Sequence, residues 1–202
     1  MGIRIIVFDF DGTLIDSNRL KADAYFKLFP PDEDYACIIR EVLAEIFEES
    51  RHVILEEILR RMGIRKQSLR KEKVGILAEQ YNRIVLDGAK RCLAKAGVEE
   101  MLKKLSPAYA LYVSSTTPQD SLREIIGFRN WDGYFRAVFG YPHKKSETLR
   151  RVIDEENVRS DEVIVVGDGK SDRESAEANG CLFVQAGDSF PLARLDRMLA
   201  NP

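Results

Sequence analysis

The sequence predicts an α/β protein in which a doubly wound, Rossmann-like parallel sheet is joined by a smaller, all-α domain. Residues 3–8 form a continuous β-branched and aromatic run, which is typical of a strand that helices cover on both faces. Comparable apolar runs recur later in the chain and alternate with helical patterns. Between residues 17 and 87 the apolar spacing is helical and no convincing strand occurs, which indicates a separate helical insert.

The core elements follow from these runs. Beyond the first strand, four more are predicted at residues 109–114, 134–139, 162–166 and 181–185, of which the run at 134–139 is the weakest. Helical patterns separate them at residues 118–126, 146–156 and 171–179. Gly180 follows the last pattern in the position that glycine favours after a helix. Strand and helix in this alternation predict a doubly wound domain.

The insert separates two parts of this core. We expect residues 1–16 and 88–202 to form the core and residues 17–87 to form the insert. Its apolar residues recur at helical spacing, for example at Ala36, Ile39, Val42, Leu43, Ile46 and Phe47. Pro30-Pro31 and Met62-Gly63 interrupt the pattern, so about four helices are expected.

Composition and charge bound the kind of partner. The 202 residues are 45% hydrophobic and 32% charged, which is ordinary for a globular protein and too apolar for disorder. A formal net charge of −2 gives no reason to expect nucleic acid or membrane as a partner, so a small molecule is expected. The first apolar run is too short for a leader or a membrane span, and we expect a cytoplasmic monomer. Cys37, Cys92 and Cys181 are odd in number and widely spaced, so they are expected to be reduced thiols.

Four polar clusters follow predicted strands, and the first is DFDGT at residues 9–13. Ligands of open α/β sheets bind outside the carboxyl ends of the strands, so the clusters are expected to converge on one crevice. Asp9 and Asp11 would repel each other unless water or a hard cation such as Mg²⁺ lies beside them. Asp9 is then a candidate nucleophile toward phosphorus, and Asp11 a candidate proton donor and acceptor. Gly12 would let the chain turn sharply beside the ligand.

The second cluster, SSTTP at residues 114–118, is a candidate anion site. Its hydroxyls and backbone N–H groups lie at the start of a predicted helix, where Pro118 suits the first turn. The same residues also fit a simple helix N-cap. The pattern leaves open whether Ser114 or Ser115 faces the crevice.

The third cluster, HKK at residues 143–145, precedes the helix predicted to begin at Ser146. A lysine here could neutralise phosphate oxygens or hold the carboxylate of Asp9. Paired surface lysines are common, and the residues alone do not choose between Lys144 and Lys145.

The fourth cluster, GDGKSD at residues 167–172, repeats the design of the first, with an apolar strand that ends in an acid, a glycine and a second acid. Asp168 and Asp172 could complete a magnesium site, since Mg²⁺ combines a few carboxylates with water and substrate oxygens. The alternative is that Asp172 only caps the helix that follows.

These motifs resemble those of the haloacid dehalogenase superfamily, specifically its phosphatase branch. The motifs are DFDGTL at 9–14, VSS at 113–115, a lysine at 144 or 145, and GDGKSD at 167–172, in the order and spacing of that family. By chance, D-x-D-G-T would occur in roughly one in a thousand chains of this length, at about one in twenty per residue type. The resemblance covers the whole chain and implies that the insert is a helical cap placed after the first motif.

The resemblance implies a Mg²⁺-dependent phosphatase that hydrolyses a small phosphorylated metabolite through an aspartyl-phosphate. Asp9 would form the aspartyl-phosphate, and Asp11 would protonate the leaving oxygen and then activate water. Mg²⁺ would be held by Asp9, the main-chain carbonyl of Asp11 and Asp168, with Asp172 in support.

The resemblance also favours one residue of each open pair. Relatives often carry a proline three residues after the second-motif hydroxyl, which favours Ser115 because Pro118 follows it. A Lys-x-Glu start to the next helix favours Lys145, because Glu147 follows it. The residues expected to bind the transferring phosphoryl group are Ser115, Thr116, Lys145 and Gly12.

Several other functions are alternatives to hydrolysis of a phosphoester. Dehalogenation and phosphonate cleavage are disfavoured, because the relatives that catalyse them lack an aspartate at the position of Asp11. A phosphosugar mutase would use the same acid pair and differ mainly in how its cap excludes water. A non-catalytic, receiver-like phosphate-binding module would need neither the D-x-D-G-T motif nor so large an insert.

The insert carries no motif that names a substrate, so phosphoglycolate, sugar phosphates and nucleoside monophosphates all stay open. His52 with Arg60, Arg61 and Arg65 could face an anionic ligand, but a solvated charged face is the favoured interpretation. Six polar or aromatic residues could line a substrate pocket, although surface or core placement is favoured for each by itself. They are Tyr25, Phe26, Arg40, His52, Tyr81 and Arg83.

Overall fold

The computed structural model describes residues 2–47, 49–187 and 192–200. The chain divides into two compact units, one formed by Met1–Asp16 with Cys92–Pro202 and the other by Ser17–Arg91. The predicted insert ends at residue 87, whereas the last helix of the second unit runs unbroken to Arg91. The observed insert is therefore slightly longer than the predicted one, because a continuous helix crosses the predicted boundary.

Nine α-helices lie within the described residues. The four helices of the second unit are α1 Asn18–Phe26, α2 Glu33–Ile46, α3 Arg51–Arg61 and α4 Gln67–Arg91. Those of the first unit are α5 Val98–Leu105, α6 Gln119–Phe128, α7 Lys145–Glu156, α8 Lys170–Asn179 and α9 Leu195–Ala200. Three short 3₁₀ helices accompany them at Asp132–Tyr134, Ser160–Glu162 and Leu192–Arg194.

The strands of the first unit form one parallel sheet. They are β1 Ile5–Phe8, β2 Ala110–Pro118, β3 Ala137–Tyr141, β4 Val163–Gly167 and β5 Leu182–Gln185. Their order across the sheet is β3-β2-β1-β4-β5, and each adjacent pair is parallel. The chain thus builds the sheet outward from β1 in both directions, which confirms the predicted doubly wound α/β fold.

β1 occupies the centre of this sheet, and all four of its residues are buried. Ile5 and Val7 pack on one face, in a cluster with residues of α7 and α8. Ile6 and Phe8 alternate to the opposite face and are completely inaccessible to solvent. Each buried side chain of this size contributes about 1.5–3 kcal/mol. The residues that follow β1 therefore project from a rigidly held point.

The predicted and observed bounds of two strands differ: β2 extends to Pro118 rather than ending at residue 114, so that SSTTP lies in a strand and not in the first turn of a helix, and β3 begins later than predicted. The aromatic Tyr134 and Phe135 favoured a strand at residues 134–139, but the Tyr134 N–H donates to the carbonyl of Trp131 (3.0 Å) and closes a tight 3₁₀ turn. Pairing with β2 begins only at Ala137 and extends to Tyr141. α5 and α9 are not among the predicted elements.

The second unit has an apolar core of its own, contributed by α1, α2, α3 and α4. Side-chain caps begin two of these helices: Asp32 accepts from the backbone N–H groups of Asp34 and Tyr35, and Ser50 accepts from that of Val53. Each such cap contributes about 1 kcal/mol.

Most of the residues that could line a substrate pocket in the insert lie in the core or on the surface of the second unit. Tyr25 and Tyr81 are buried, with ring centroids 4.5 Å apart, and so belong to its core. His52 and Arg83 are exposed, and the exposed Arg40 is hydrogen-bonded to Glu33. These placements agree with the favoured interpretation of surface or core for each residue.

The basic cluster on α3 is engaged by acids of the same unit. Arg60 donates two hydrogen bonds of 2.7 Å to Glu57, and Arg61 donates one of the same length. Arg61 also pairs with Glu45 of α2. A charged surface network, rather than a site for an anionic ligand, explains these arginines.

We expect Glu57→Gln to destabilise the protein by about 1 kcal/mol at pH 7, because the substitution removes the centre of this network. Hydrogen bonds from Arg60, followed by those from Arg61, lower the pKa of Glu57 to about 2. The carboxylate therefore stabilises the fold above its ordinary pKa, and this contribution is lost as the pH falls toward about 2. Urea unfolding at pH 7, 4 and 3 should show the difference from the wild type shrinking with acidity. Glu72→Gln, which changes an exposed carboxylate of α4, is the control, and a Glu57→Gln deficit that stays constant with pH would contradict the assignment.

Two further observations bear on the expected class of protein. Cys37, Cys92 and Cys181 are free cysteines, as expected for reduced thiols. Within the described ranges, no helix combines the length and apolarity that crossing a membrane requires.

Candidate active site

The first polar cluster begins where β1 ends. Asp9 is the first residue after β1. Its N–H still donates to the carbonyl of Val166 in β4 (2.8 Å), so its backbone is held by the sheet. The chain then turns at Gly12, whose φ of 78° lies in the left-handed region that favours glycine. The Gly12 N–H donates to the carbonyl of Ile15 (2.9 Å) and closes the turn. Gly12 thus shapes the turn that presents Asp9 and Asp11.

Lys145 holds Asp9 from the start of α7. Its amine donates to Asp9 Oδ1 at 2.8 Å and to Asp172 Oδ1 at 2.7 Å, and its side chain is only 11% exposed. Lys144 is exposed and pairs with Glu147 at 3.2 Å. The structure therefore directs Lys145 into the cluster and Lys144 to solvent.

Burial and the mutual attraction of opposite charges set the pKa values of Asp9, Asp172 and Lys145. Burial raises the pKa of the Asp9 carboxyl to about 7, while Lys145 opposes the rise and Asp172 and Asp11 add to it. Burial likewise raises the pKa of Asp172, against the effect of Lys145. Burial alone would lower the pKa of Lys145, but the two carboxylates outweigh it and raise that pKa above its ordinary value. Asp9, Asp172 and Lys145 are thus largely buried groups, each of which affects the pKa of the others.

Three carboxylates converge where a cation could bind. Asp9, Asp168 and Asp172 offer ligand oxygens that all lie within 4.8 Å of one another. The Thr13 hydroxyl lies between two of them, 3.4 Å from Asp9 Oδ2 and 3.3 Å from Asp168 Oδ1. Lys145 engages Oδ1 of both Asp9 and Asp172, whereas Asp9 Oδ2 and Asp168 Oδ1 face the Thr13 hydroxyl. An all-oxygen donor set with this charge fits a hard divalent cation such as Mg²⁺.

The carboxylate of Asp11 is held by two hydroxyl groups. Thr117 Oγ donates to Asp11 Oδ2 at 2.6 Å, and Ser115 Oγ donates to the same oxygen at 3.4 Å. Asp11, Ser115 and Thr117 are all buried. Ser114 lines a cavity of about 10 Å³ beside Asp9, which is too small for a substrate group.

The sequence analysis did not single out two residues that contact these carboxylates, Thr13 and Thr117. Thr13 is the last letter of the D-x-D-G-T motif, so the motif itself carried the signal. Thr117 lies within SSTTP, but four hydroxyl residues in a row gave no indication of which would turn inward. Thr116, which was predicted to bind phosphate, is exposed, whereas Thr117 is 5% exposed.

The arrangement of these side chains indicates a class of protein. The carboxyl edge of a parallel α/β sheet gathers a buried carboxylate beside an amine, a set of cation ligands and a second carboxylate held by hydroxyls. Groups of these kinds are able to serve as a nucleophile, a counter-charge for an anionic substrate group and a separate proton carrier. These are the parts of an enzyme that acts on anionic esters.

Comparison with known proteins identifies the family. The profile of the haloacid dehalogenase-like hydrolases matches residues 6–186. A phosphoglycolate phosphatase of Psychrobacter arcticus is 25% identical over 182 residues, which cover 85% of this chain and 78% of the relative. A 5'-nucleotidase of Pseudomonas aeruginosa is 28% identical over 100 residues, which cover 46% of this chain and 45% of the relative.

A solved structure extends the likeness to the whole fold. The HAD-hydrolase YfnB of Bacillus subtilis, solved bound to magnesium, superposes with a TM-score of 0.73 at 17% identity and covers 99% of this chain and 100% of its own. The chain belongs to the haloacid dehalogenase-like hydrolases. It is a hydrolase of the phosphatase branch, which confirms the resemblance found in the sequence.

Proposed function

We propose that the protein is a Mg²⁺-dependent phosphatase that hydrolyses a small phosphomonoester through a phosphorylated Asp9. The observation that carries this proposal is the buried Asp9 carboxylate, held by the Lys145 amine at 2.8 Å within a cluster of cation ligands. Asp11 lies in the same loop but is held separately by hydroxyls, as two different chemical roles require.

Asp9, Asp168 and the carbonyl of Asp11 would hold the cation, with Asp172 in support. When bound, Mg²⁺ would supply charge neutralisation for the phosphate oxygens. The phosphate would lie between Asp9 and Asp11, where Ser115 Oγ and the Lys145 amine are the nearby donors. Phosphoryl transfer needs mainly in-line positioning of the reacting atoms and neutralisation of the phosphate charge, so these residues would suffice for it.

The proposed reaction has two steps, transfer of the phosphoryl group to Asp9 and hydrolysis of the resulting acyl phosphate. A carboxylate oxygen of Asp9 forms a bond to phosphorus while the ester P–O bond breaks, and the leaving oxygen takes the proton of Asp11. Water next attacks the phosphorus of the acyl phosphate and gives its proton to the Asp11 carboxylate. The bond between phosphorus and Asp9 breaks, and phosphate and free Asp9 are released. Two lower barriers thus replace one high barrier.

The substrate class is proposed from the relatives. Their names, phosphoglycolate phosphatase and 5'-nucleotidase, both denote enzymes of small phosphorylated metabolites. A panel of phosphoglycolate, nucleoside monophosphates and sugar phosphates with Mg²⁺, ranked by kcat/KM for phosphate release, tests the proposal. Isomerisation of a phosphosugar without phosphate release would instead identify a mutase. Stable phosphorylation of Asp9 without turnover of any ester would identify a receiver-like module.

We expect excess chelator to lower phosphate release roughly a hundredfold or more, because the buried carboxylates would then face the substrate's charge without a cation. Mg²⁺ should restore activity, and Ca²⁺ should restore it poorly, since its looser and higher coordination disturbs in-line geometry. Circular dichroism should show an intact fold in chelator. Full activity in excess chelator would remove the metal from the mechanism.

A further inference from the structure

β2 departs from regular pairing at the site. Ser114 lies opposite Phe139, and pairing resumes with Pro118 opposite Tyr141. Residues 115–117 of β2 thus stand opposite the single residue Gly140 of β3, which makes a bulge in the ladder. Bulges disrupt strand alternation and re-aim side chains, often beside active sites.

The bulge directs two hydroxyl groups to the same carboxylate oxygen. Thr117 Oγ donates to Asp11 Oδ2 at 2.6 Å, whereas Ser115 Oγ donates to it at 3.4 Å. Ser115 Oγ also accepts the backbone N–H of Thr117 at 3.1 Å, which joins the two residues in a local turn. The shorter and stronger contact to Asp11 is therefore that of Thr117.

The hydroxyls of Ser115 and Thr117 would form different hydrogen bonds once phosphate is bound. Each carries one proton, so Ser115 cannot donate to a phosphate oxygen and to Asp11 at once. Thr117 can keep its bond to Asp11 throughout. Because Thr117 occupies Asp11 Oδ2 as a donor, the proton that Asp11 transfers is directed to Oδ1.

We propose that Thr117 is a positioning residue that holds Asp11 in the orientation required for proton transfer to the leaving oxygen. The inference rests on the proposed function, because it assigns Asp11 the acid and base role. Thr117 itself touches neither the phosphoryl group nor the reacting oxygens. It acts through Asp11.

The surroundings of the bulge fix Thr117 in place. A Cβ atom at residue 140 would collide with the carbonyl oxygen of Thr117, so glycine is required there for the two strands to approach. The Gln119 side chain forms two hydrogen bonds to the backbone of β3 at the bulge. It accepts the Gly140 N–H at 2.6 Å and donates to the carbonyl of Val138 at 2.9 Å. The Gly140 N–H and the Val138 carbonyl are thus satisfied by one side chain, which helps to hold the bulge in place.

The test compares two substrates that differ in their need for an acid. Glycerol phosphate has a basic leaving oxygen that must be protonated, whereas the leaving group of p-nitrophenyl phosphate is stable as an anion. We expect Thr117→Val to lower kcat/KM for glycerol phosphate roughly ten- to hundredfold, and that for p-nitrophenyl phosphate less than about threefold. Thr117→Ser, which keeps the hydroxyl, should restore both values to within about threefold of the wild type.

Two controls make the result decisive. Thr148→Val removes a buried hydroxyl of α7 and should leave the ratio of the two kcat/KM values unchanged. Asp11→Asn should show the same selective loss as Thr117→Val, but larger. An equal loss for both substrates in Thr117→Val, or no loss, overturns the positioning role while leaving the proposed function intact. Absence of selective loss in Asp11→Asn overturns the proposed role of Asp11 itself. If Thr117→Val does not fold, Thr117→Ala gives the same comparison.

Discussion

Asp9→Asn is expected to lower kcat for phosphate release by about 10⁴-fold or more, because an amide oxygen cannot replace the carboxylate as a nucleophile. The fold should survive the change. Lys145, which donates to both Asp9 and Asp172, keeps its bond to Asp172 in the variant. Phosphate release on the best substrate of the panel, together with thermal unfolding, measures both effects.

The matched control is Asp161→Asn, which changes an exposed aspartate beside the amino end of β4, away from the carboxyl edge of the sheet. Its activity should stay within about twofold of the wild type, as expected for a surface substitution. Asp11→Asn provides a contrast at the site, because phosphoenzyme should accumulate when the second step is slowed. Near-normal turnover by Asp9→Asn would refute the assignment of the nucleophile.

Lys145→Met is expected to reduce both stability and turnover by large factors. The amine lies 2.8 Å from Asp9 Oδ1 and 2.7 Å from Asp172 Oδ1, and the two carboxylates are buried. Removing one partner of a buried ion pair typically costs about 3–5 kcal/mol, because the remaining charge is left without compensation. Loss of a charged donor at the reacting group should also lower kcat about 10²–10³-fold.

The stability measurement is urea unfolding in buffer with excess chelator, so that a divalent cation cannot replace the missing amine. Lys144→Met is the matched control, since it removes a neighbouring lysine that pairs with the exposed Glu147. Its free energy of unfolding should change by less than about 0.5 kcal/mol. A Lys145→Met variant as stable as Lys144→Met would show that the buried pair contributes little.

The motif residues were accessible to sequence analysis because their chemistry is unusual. Apolar strands that end in two closely spaced acids have few explanations other than a site, and Asp9, Asp11, Asp168 and Asp172 were all named on that ground. The structure gathers three of them within 4.8 Å at one edge of the sheet. Their catalytic roles remain predictions that the variants above will test.

By itself, the sequence determined the architecture and the family of this protein. The periodicity of apolar residues is a local property, and it sufficed to predict the parallel sheet, the helical insert and the carboxyl edge as the site. Local motifs likewise sufficed to indicate the phosphatase branch.

Only the tertiary structure decided which of several neighbouring polar residues turn inward. Lys145 rather than Lys144 reaches Asp9, and Thr117 rather than Thr116 is buried beside Asp11. The physical reason is that these orientations depend on partners distant in the chain. The bulge in β2 exists because of its pairing with β3, and the direction of a lysine at the start of α7 depends on the acids that follow β1 and β4.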